Sequence, residues 1–275
     1  MVSNYSNPEY LSKNQYEDPT NLNLRRALFD FSVPKVSITD KGLNYLKLKG
    51  KENILELGCG EGKVLLALRR NNHKGRLVGI DVSKGMFANA KKFVREHGIK
   101  PKIEFMEGMA DSLEFPDSSF DILLSFYMLY HMPGIQKTLV EWKRVLKPNG
   151  RILVATNSSE NREKFHRFKK LIGKLTRSQS PPNFSSRFSL ENGQKKLEKS
   201  FKIIDSFTYE GRVILHEPQP YLNAMESYRQ VFNPVPSTKA WEKAITVIKG
   251  MIEKEIKIKG YFVDKAKTGF FICSK

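Results

Sequence analysis

The sequence predicts an α/β protein with a mostly parallel sheet covered by helices on both faces. Three observations carry that expectation. From Asn53 onward, short apolar runs of strand length alternate with longer amphipathic runs of helix length. Strands separated by helices in this way pair in parallel through right-handed crossovers. The first apolar run, ILEL at 54–57, leads directly into glycines at 58, 60 and 62, at the carboxyl end of a strand where open sheets bind their ligands. Finally, 275 residues with 40% hydrophobic content are enough to bury a full core.

Taken in order, residues 1–50 read as an N-terminal helical cover. In YLSKNQYEDPTNLNLRRALFDF, Asp18 or Thr20 starts a helix that gathers Leu22, Leu24, Leu28 and Phe31 on one side. Residues 51–157 form the core unit. ILEL is its first strand and KVLLALRRN (63–71) the helix that follows. RLVGID (76–81) is the second strand, and SKGMFANAKKFVREHG a helix capped by Ser83 and closed by Gly98. KIEFMEG (102–108) and FDILLSF (120–126) are the next strands, and IQKTLVEWKRVL is the helix before the fifth, RILVATN (151–157). The alternation then lapses. Residues 158–200 hold two charged helices around TRSQSPPNFSSR and read as a lid over the substrate, inserted after the fifth strand. Residues 201–275 complete the sheet. KIIDSFTYE and RVILHEP read as strands, PYLNAMESYRQ and KAWEKAITVIKGMIEKEI as helices, and YFV with GFFICS as a closing hairpin.

Composition narrows the function classes. Two cysteines, Cys59 and Cys273, stand far apart with no CxxC, which argues against a disulfide framework and a zinc site. His73, His97 and His166 are scattered without ligand spacing, so no metal is expected. No basic start followed by an apolar stretch and no span of ~18 apolar residues is visible, so a cytoplasmic protein without a membrane segment is expected. The net charge is +18, and residues 160–200 carry eleven Lys or Arg against four acids. That balance fits either a solvated lysine-rich surface or an anionic partner.

The glycine loop is informative together with its neighbours. Glycines let the backbone turn sharply and approach a ligand, and the helix that follows offers free amides. The spacing G-x-G-x-G differs from the nicotinamide fingerprint, whose third glycine falls where Lys63 stands. Asp81, ending the second strand, is placed either to accept both hydroxyls of a ribose or to cap the next helix.

ELGCGEG, GIDVS, GMADSLEFPDSSFDILLS and LKPNGRILVA, in that order, resemble the motif set of class I S-adenosylmethionine-dependent methyltransferases over about residues 50–157. The resemblance implies a Rossmann-like seven-stranded sheet whose last strand, GFFICS, is antiparallel. It implies S-adenosylmethionine as cofactor and S-adenosylhomocysteine as product. Gly58, Cys59, Gly60 and Gly62 would lie under the methionine part, with Glu56 near its amino group. Asp81 would hold the ribose, Val82 and Met86 would flank the adenine, and Met109 and Ala110 would face its edge. Ser125 and Tyr16 complete the implied cofactor set, Tyr16 as the aromatic cover of the sulfonium. Many relatives carry G-D-A where this chain has Gly108-Met109-Ala110; Met109 cannot accept the adenine amino hydrogen bond, and either Asp111, two residues along, substitutes or the adenine relies on backbone groups and apolar packing.

Methyl transfer from a sulfonium is an in-line displacement, so the protein chiefly aligns donor and acceptor. His131, in FYMLYHM, stands where such relatives often carry a histidine and suits a general base; the alternative is a residue that packs or caps a helix start. Tyr127 and Tyr130 are substrate contacts or core. Arg25 either reaches a carboxylate or solvates a helix face, and His216 either touches substrate or belongs to a strand-end turn. The opening QY…NL..R and FSLENG (188–193) also resemble little-characterised bacterial methyltransferases. The expected partner is a small molecule, an anionic one included, on a monomer or homodimer. The alternatives are RNA or protein methylation, using the basic residues of KFHRFKK and NFSSRF, and a non-catalytic relative that binds a partner.

Overall fold

In the computed structural model, which describes residues 7–275, the chain opens with α1 (Pro8–Asn14), α2 (Thr20–Arg26), a two-residue strand β1 (Ser32–Val33) and α3 (Ile38–Leu46). The core follows as β2 (Ile54–Leu57), α4 (Lys63–Arg70), β3 (Leu77–Asp81), α5 (Lys84–Glu96), β4 (Ile103–Glu107), β5 (Phe120–Phe126), α6 (Ile135–Val145) and β6 (Leu146–Asn157). The remainder is α7 (Glu163–Thr176), α8 (Leu190–Leu197), β7 (Lys202–Leu215), α9 (Gln219–Glu226), α10 (Thr238–Lys259) and β8 (Phe262–Ser274). Among the described residues no helix is long and apolar enough to cross a membrane.

One sheet of order β1-β7-β8-β6-β5-β2-β3-β4 organises these elements. β2 pairs in parallel with both β3 and β5, with Ile54 beside Leu77 and Ile122. All four side chains of β2 are buried, as a central strand covered on both faces requires. The chain steps outward from β2 to β3 and β4, then returns to the other side of β2 as β5 and β6. That reversal puts the switch point at the carboxyl end of β2, where the glycine loop lies.

The expected α/β architecture is present, with eight strands in place of seven. The extra strand, β1, is the exit of the N-terminal segment laid antiparallel along β7, with Ser32 beside Val213. Gly211 makes room for it. A Cβ there would stand 2.7 Å from the Val33 carbonyl oxygen and closer still to the Tyr209 ring. The same glycine accounts for a second difference. KIIDSFTYE and the RVIL of RVILHEP, expected in separate strands, form one continuous strand of 14 residues, while Phe262 onward through GFFICS is a single strand of 13 in place of the expected hairpin. Gly211 reads as an interruption in the sequence, but in the sheet it is a point of close backbone approach. Helix α1 was not expected; the Asn7 side chain caps it by accepting from the Glu9 and Tyr10 amides.

The core divides between the two faces of the sheet. Ile54, Leu65, Phe87, Leu124 and Phe270 belong to one face and Leu55, Leu57, Trp142, Ile152 and Phe188 to the other. Residues 158–200 are bound into this body. The buried face of α7 carries Phe165, Phe168 and Ile172, and Gln179 and Asn233 exchange backbone hydrogen bonds of 2.7 and 3.1 Å.

Candidate active site

The glycine loop takes its shape from the strand beside it. Gly58, Gly60 and Gly62 have φ of 69°, 51° and 66°, the left-handed region where a side chain costs energy. The Gly58 and Cys59 amides both donate to the Ile80 carbonyl, at 2.8 and 2.9 Å. The Gly60 amide donates to Asp81 Oδ2 at 2.9 Å, and the Ser83 amide donates to Asp81 Oδ1 at 3.1 Å. The Asp81 carboxylate thus spans the gap between the glycine loop and the start of α5. Burial raises its pKa, against the amides of Gly60, Ser83 and Val82 that favour the charged form. Ser83 was expected to cap α5 with its own side chain. It makes no such bond; instead its own amide is held by Asp81.

Glu56 is 2% exposed, and burial pushes its carboxyl up to about 8, with Arg26 opposing and Asp81 adding to the rise. Its Oε2 is buried without a hydrogen-bond partner. A buried acid left in this state is costly, and its chemistry fits the ammonium group of an amino-acid ligand. Asp111 presents a second oxygen of this kind, since its Oδ1 is also buried and unpartnered. Trp142 fixes the adjoining turn by donating Nε1–H to the Ala110 carbonyl at 2.8 Å. Ala110 packs with Leu57 and Ile80 in one core cluster, while Met109 is 39% exposed. Met86 is buried, and its Cε lies 3.4 Å from where a Cβ of Gly60 would be. Val82 is half-buried. Ser125 lies beside Leu57 with its hydroxyl buried and unpartnered. Cys59 differs from its neighbours, for its thiol packs under the loop, 2.9 Å from a Cβ position on Gly79.

The N-terminal segment lies across this loop. Leu22 reaches Gly60, the Glu17 carbonyl sits where a Cβ of Gly85 would be, and Arg26 pairs with Glu61 at 2.9 Å. This arrangement carries Tyr16 to His131, where the hydroxyl lies 3.2 Å from Nε2 and the rings meet edge to face at 5.7 Å. Tyr130 meets the same imidazole at 4.7 Å and Phe184, from the 158–200 segment, at 5.4 Å. Tyr127 has φ 57°, a conformation that strains a bulky side chain. It turns the chain off the end of β5 and anchors its hydroxyl 3.1 Å from Thr268 Oγ1.

Arg25 does not lie on a solvated helix face. Its guanidinium is turned inward, 5.3 Å from the Tyr16 ring and 5.1 Å from the Tyr228 ring. Two cations that the sequence reading missed lie nearby. Lys169 is 2% exposed, and burial with the adjacent Arg25 charge lowers its pKa to about 7. Arg162 stacks over Phe29 at 4.9 Å, and burial lowers its pKa as well. The signal for Lys169 was present, since Phe165, Phe168, Lys169 and Ile172 fall at i, i+3, i+4 and i+7 on the apolar face of α7. His216 stays apart. It is exposed, with Nδ1 3.0 Å from the Gly260 carbonyl, and the adjacent pair Leu215–Phe262 lies six residues, roughly 20 Å of strand, from Thr268. Two surface depressions, beside Lys143 and Lys202 and beside Glu163 and Arg212, contain none of the expected site residues.

Residues 55–154 match the family model described as a methyltransferase domain. The chain is 35% identical over 106 residues to the uncharacterized methyltransferase YcgJ of Bacillus subtilis, covering 38% of this chain and 41% of that protein. It is 29% identical over 139 residues to the phosphatidylethanolamine N-methyltransferase of Cereibacter sphaeroides, covering 50% of this chain and 67% of that one. It therefore spans less than half the length of the first of these relatives. In structure it is similar to a SAM dependent methyltransferase from Aquifex aeolicus, with a TM-score of 0.50 and 23% identity over 72% of this chain and 90% of the other.

Proposed function

We propose that this chain, whose residues 55–154 carry a methyltransferase domain, transfers a methyl group from S-adenosylmethionine to a small-molecule acceptor. The observation that carries the reading is the buried, unpartnered Oε2 of Glu56, two residues before a glycine loop whose Gly60 amide is tied to Asp81. An acid in that state supports binding of a cationic amino-acid end, and the strand-end carboxylate of Asp81 supports binding of a ribose. Asp111, with its own unpartnered oxygen, takes the adenine amino group in place of the aspartate missing at Met109. When bound, S-adenosylmethionine supplies the sulfonium methyl and the thioether leaving group.

The protein's own residues then have three tasks. Tyr16 and the N-terminal segment close over the glycine loop and exclude water. The Tyr16 hydroxyl orients the His131 ring through Nε2, and His131 accepts the proton of an acceptor that begins protonated. Tyr127 and Tyr130 shape the acceptor's surroundings, while the position of His216 leaves it without a role. The inward use of some of the basic residues in 158–200 supports a small acceptor over RNA. Lys169 is buried, Lys164 pairs with Glu255 at 2.7 Å, and Arg187 donates to the Met132 and Pro133 carbonyls.

Thermal-shift titration with S-adenosylmethionine tests the reading. A ligand at 100 times its dissociation constant adds roughly 2.7 kcal/mol of stability, and Asp81→Ala is expected to abolish that shift while the chain still melts cooperatively. Equal affinity in the variant, or no shift in the wild type, refutes the assignment.

A further inference from the structure

We propose that Arg25, Lys169 and Arg162, gathered with Tyr228 between the N-terminal segment and α7, form an oxyanion subsite that holds a carboxylate or phosphate on the methyl acceptor. The inference rests on the methyltransferase reading and adds the chemical class of its substrate.

In this cluster Lys169 is buried, and Arg25 and Arg162 are half-buried with one Nη2 atom of each fully enclosed. Arg25 and Lys169 both lie against the Tyr228 ring, at 5.1 and 4.8 Å. Arg162 Nη1 donates to the Arg25 carbonyl at 3.4 Å. Arg25 spends Nε on the Asn21 carbonyl and Nη1 on Gln15, leaving Nη2 buried and unpartnered; Nη2 of Arg162 is likewise buried and unpartnered. Among the described residues none of these three cations takes part in an ion pair of the kind seen for Lys164 with Glu255. The acid whose charge acts on Arg162 is Asp264, and its carboxylate is already used. Oδ1 accepts from the Lys164 and Lys265 amides at 3.0 and 2.8 Å, and Oδ2 from the Phe165 amide at 3.1 Å and the Tyr221 hydroxyl at 2.5 Å.

Contact with an aromatic face recovers only part of the cost of burying a cation. Burial, with the neighbouring Arg25 charge adding to it, lowers the pKa of Lys169, whereas the Tyr16 and Tyr228 side chains outweigh burial at Arg25 and keep its guanidinium charged. Arg162, in the left-handed conformation with φ 54° at the start of α7, is tied to the cluster by its bond to the Arg25 carbonyl. An oxyanion relieves all of this, because guanidinium groups bind carboxylate and phosphate through paired N–H donors. The location fits an acceptor. Arg25 is 5.3 Å from the Tyr16 ring, which is 5.7 Å from the His131 ring. The anionic end and the nucleophile of one compact molecule span those two steps.

The test uses benzoate, phenyl phosphate and neutral benzamide as probes, on the full chain with and without saturating S-adenosylhomocysteine. Benzoate or phenyl phosphate is expected to raise the melting temperature, benzamide is not, and the stronger of the two anions identifies the source of the charge. Lys169→Met is expected to melt higher than wild type without ligand, to bind the oxyanion probe at least tenfold more weakly, and to bind S-adenosylmethionine within twofold of wild type. Arg25→Met, a second variant, is expected to lose the probe in the same way. Equal stabilisation by benzamide, an unaltered probe affinity in both variants, or no shift with either anion at tens of millimolar overturns the proposal. A protein that binds the anions but not S-adenosylmethionine retains the subsite and refutes the methyltransferase reading instead.

Discussion

Replacing Glu56 by glutamine removes the buried acid while keeping its shape, and the consequence follows from proton linkage. In the fold the carboxyl holds its proton up to about 8, whereas its ordinary value is 4.5. Between those values the folded chain binds more protons than the unfolded one. The contribution of Glu56 is therefore fully present below 4.5 and is lost as pH rises through about 8. At about 1.36 kcal/mol per pH unit the whole loss is roughly 5 kcal/mol. Glutamine does not titrate. The Glu56→Gln variant should accordingly melt like wild type near pH 5 and increasingly above it toward pH 8, by on the order of 10 °C for a chain of this size. The assay is differential scanning fluorimetry of both ligand-free proteins across that range, read as the difference so that groups common to both cancel. Melting curves that stay parallel refute the reasoning. Ligand reverses the sign, since an ammonium group paired with Glu56 stabilises the carboxylate. Binding of S-adenosylmethionine to wild type below pH 8 should release up to one proton, visible as buffer-dependent heat in calorimetry, and Glu56→Gln should show neither that release nor the wild-type affinity.

Further outcomes follow from the same site. Asp111→Ala removes a buried oxygen that has no partner in the ligand-free chain, so the variant should be no less stable than wild type while binding S-adenosylmethionine about tenfold more weakly, as loss of one hydrogen bond predicts; unaltered affinity by calorimetry would return the adenine contact to the backbone. His131→Ala should leave cofactor affinity intact and slow turnover by about 10²-fold on an acceptor identified by release of S-adenosylhomocysteine. Undiminished turnover would make His131 a packing residue beside Tyr16 and Tyr130.

Much of this protein is determined locally, and the sequence by itself settled that part. The order of apolar and amphipathic runs is enough for β2 to β6 and their crossover helices, because the period of burial is written into neighbouring residues. The glycine loop, Glu56 and Asp81 are likewise legible, since parallel strands all end on the same side of the sheet and bring short motifs together there. Tertiary contact decided what depends on segments far apart in the chain. Gly211 looks like a break until the backbone of Val33 is seen beside it, and Cys59 looks like a ligand contact until Gly79 is found against its thiol. The direction in which a basic side chain faces is of the same kind. Lys169 and Arg25 are ordinary members of charged helices in sequence, and they become a pair only because α7 and α2 close on the same tyrosine. A charge carries no local mark of the neighbours it will be buried with, so its cost and its use are fixed only by the packing.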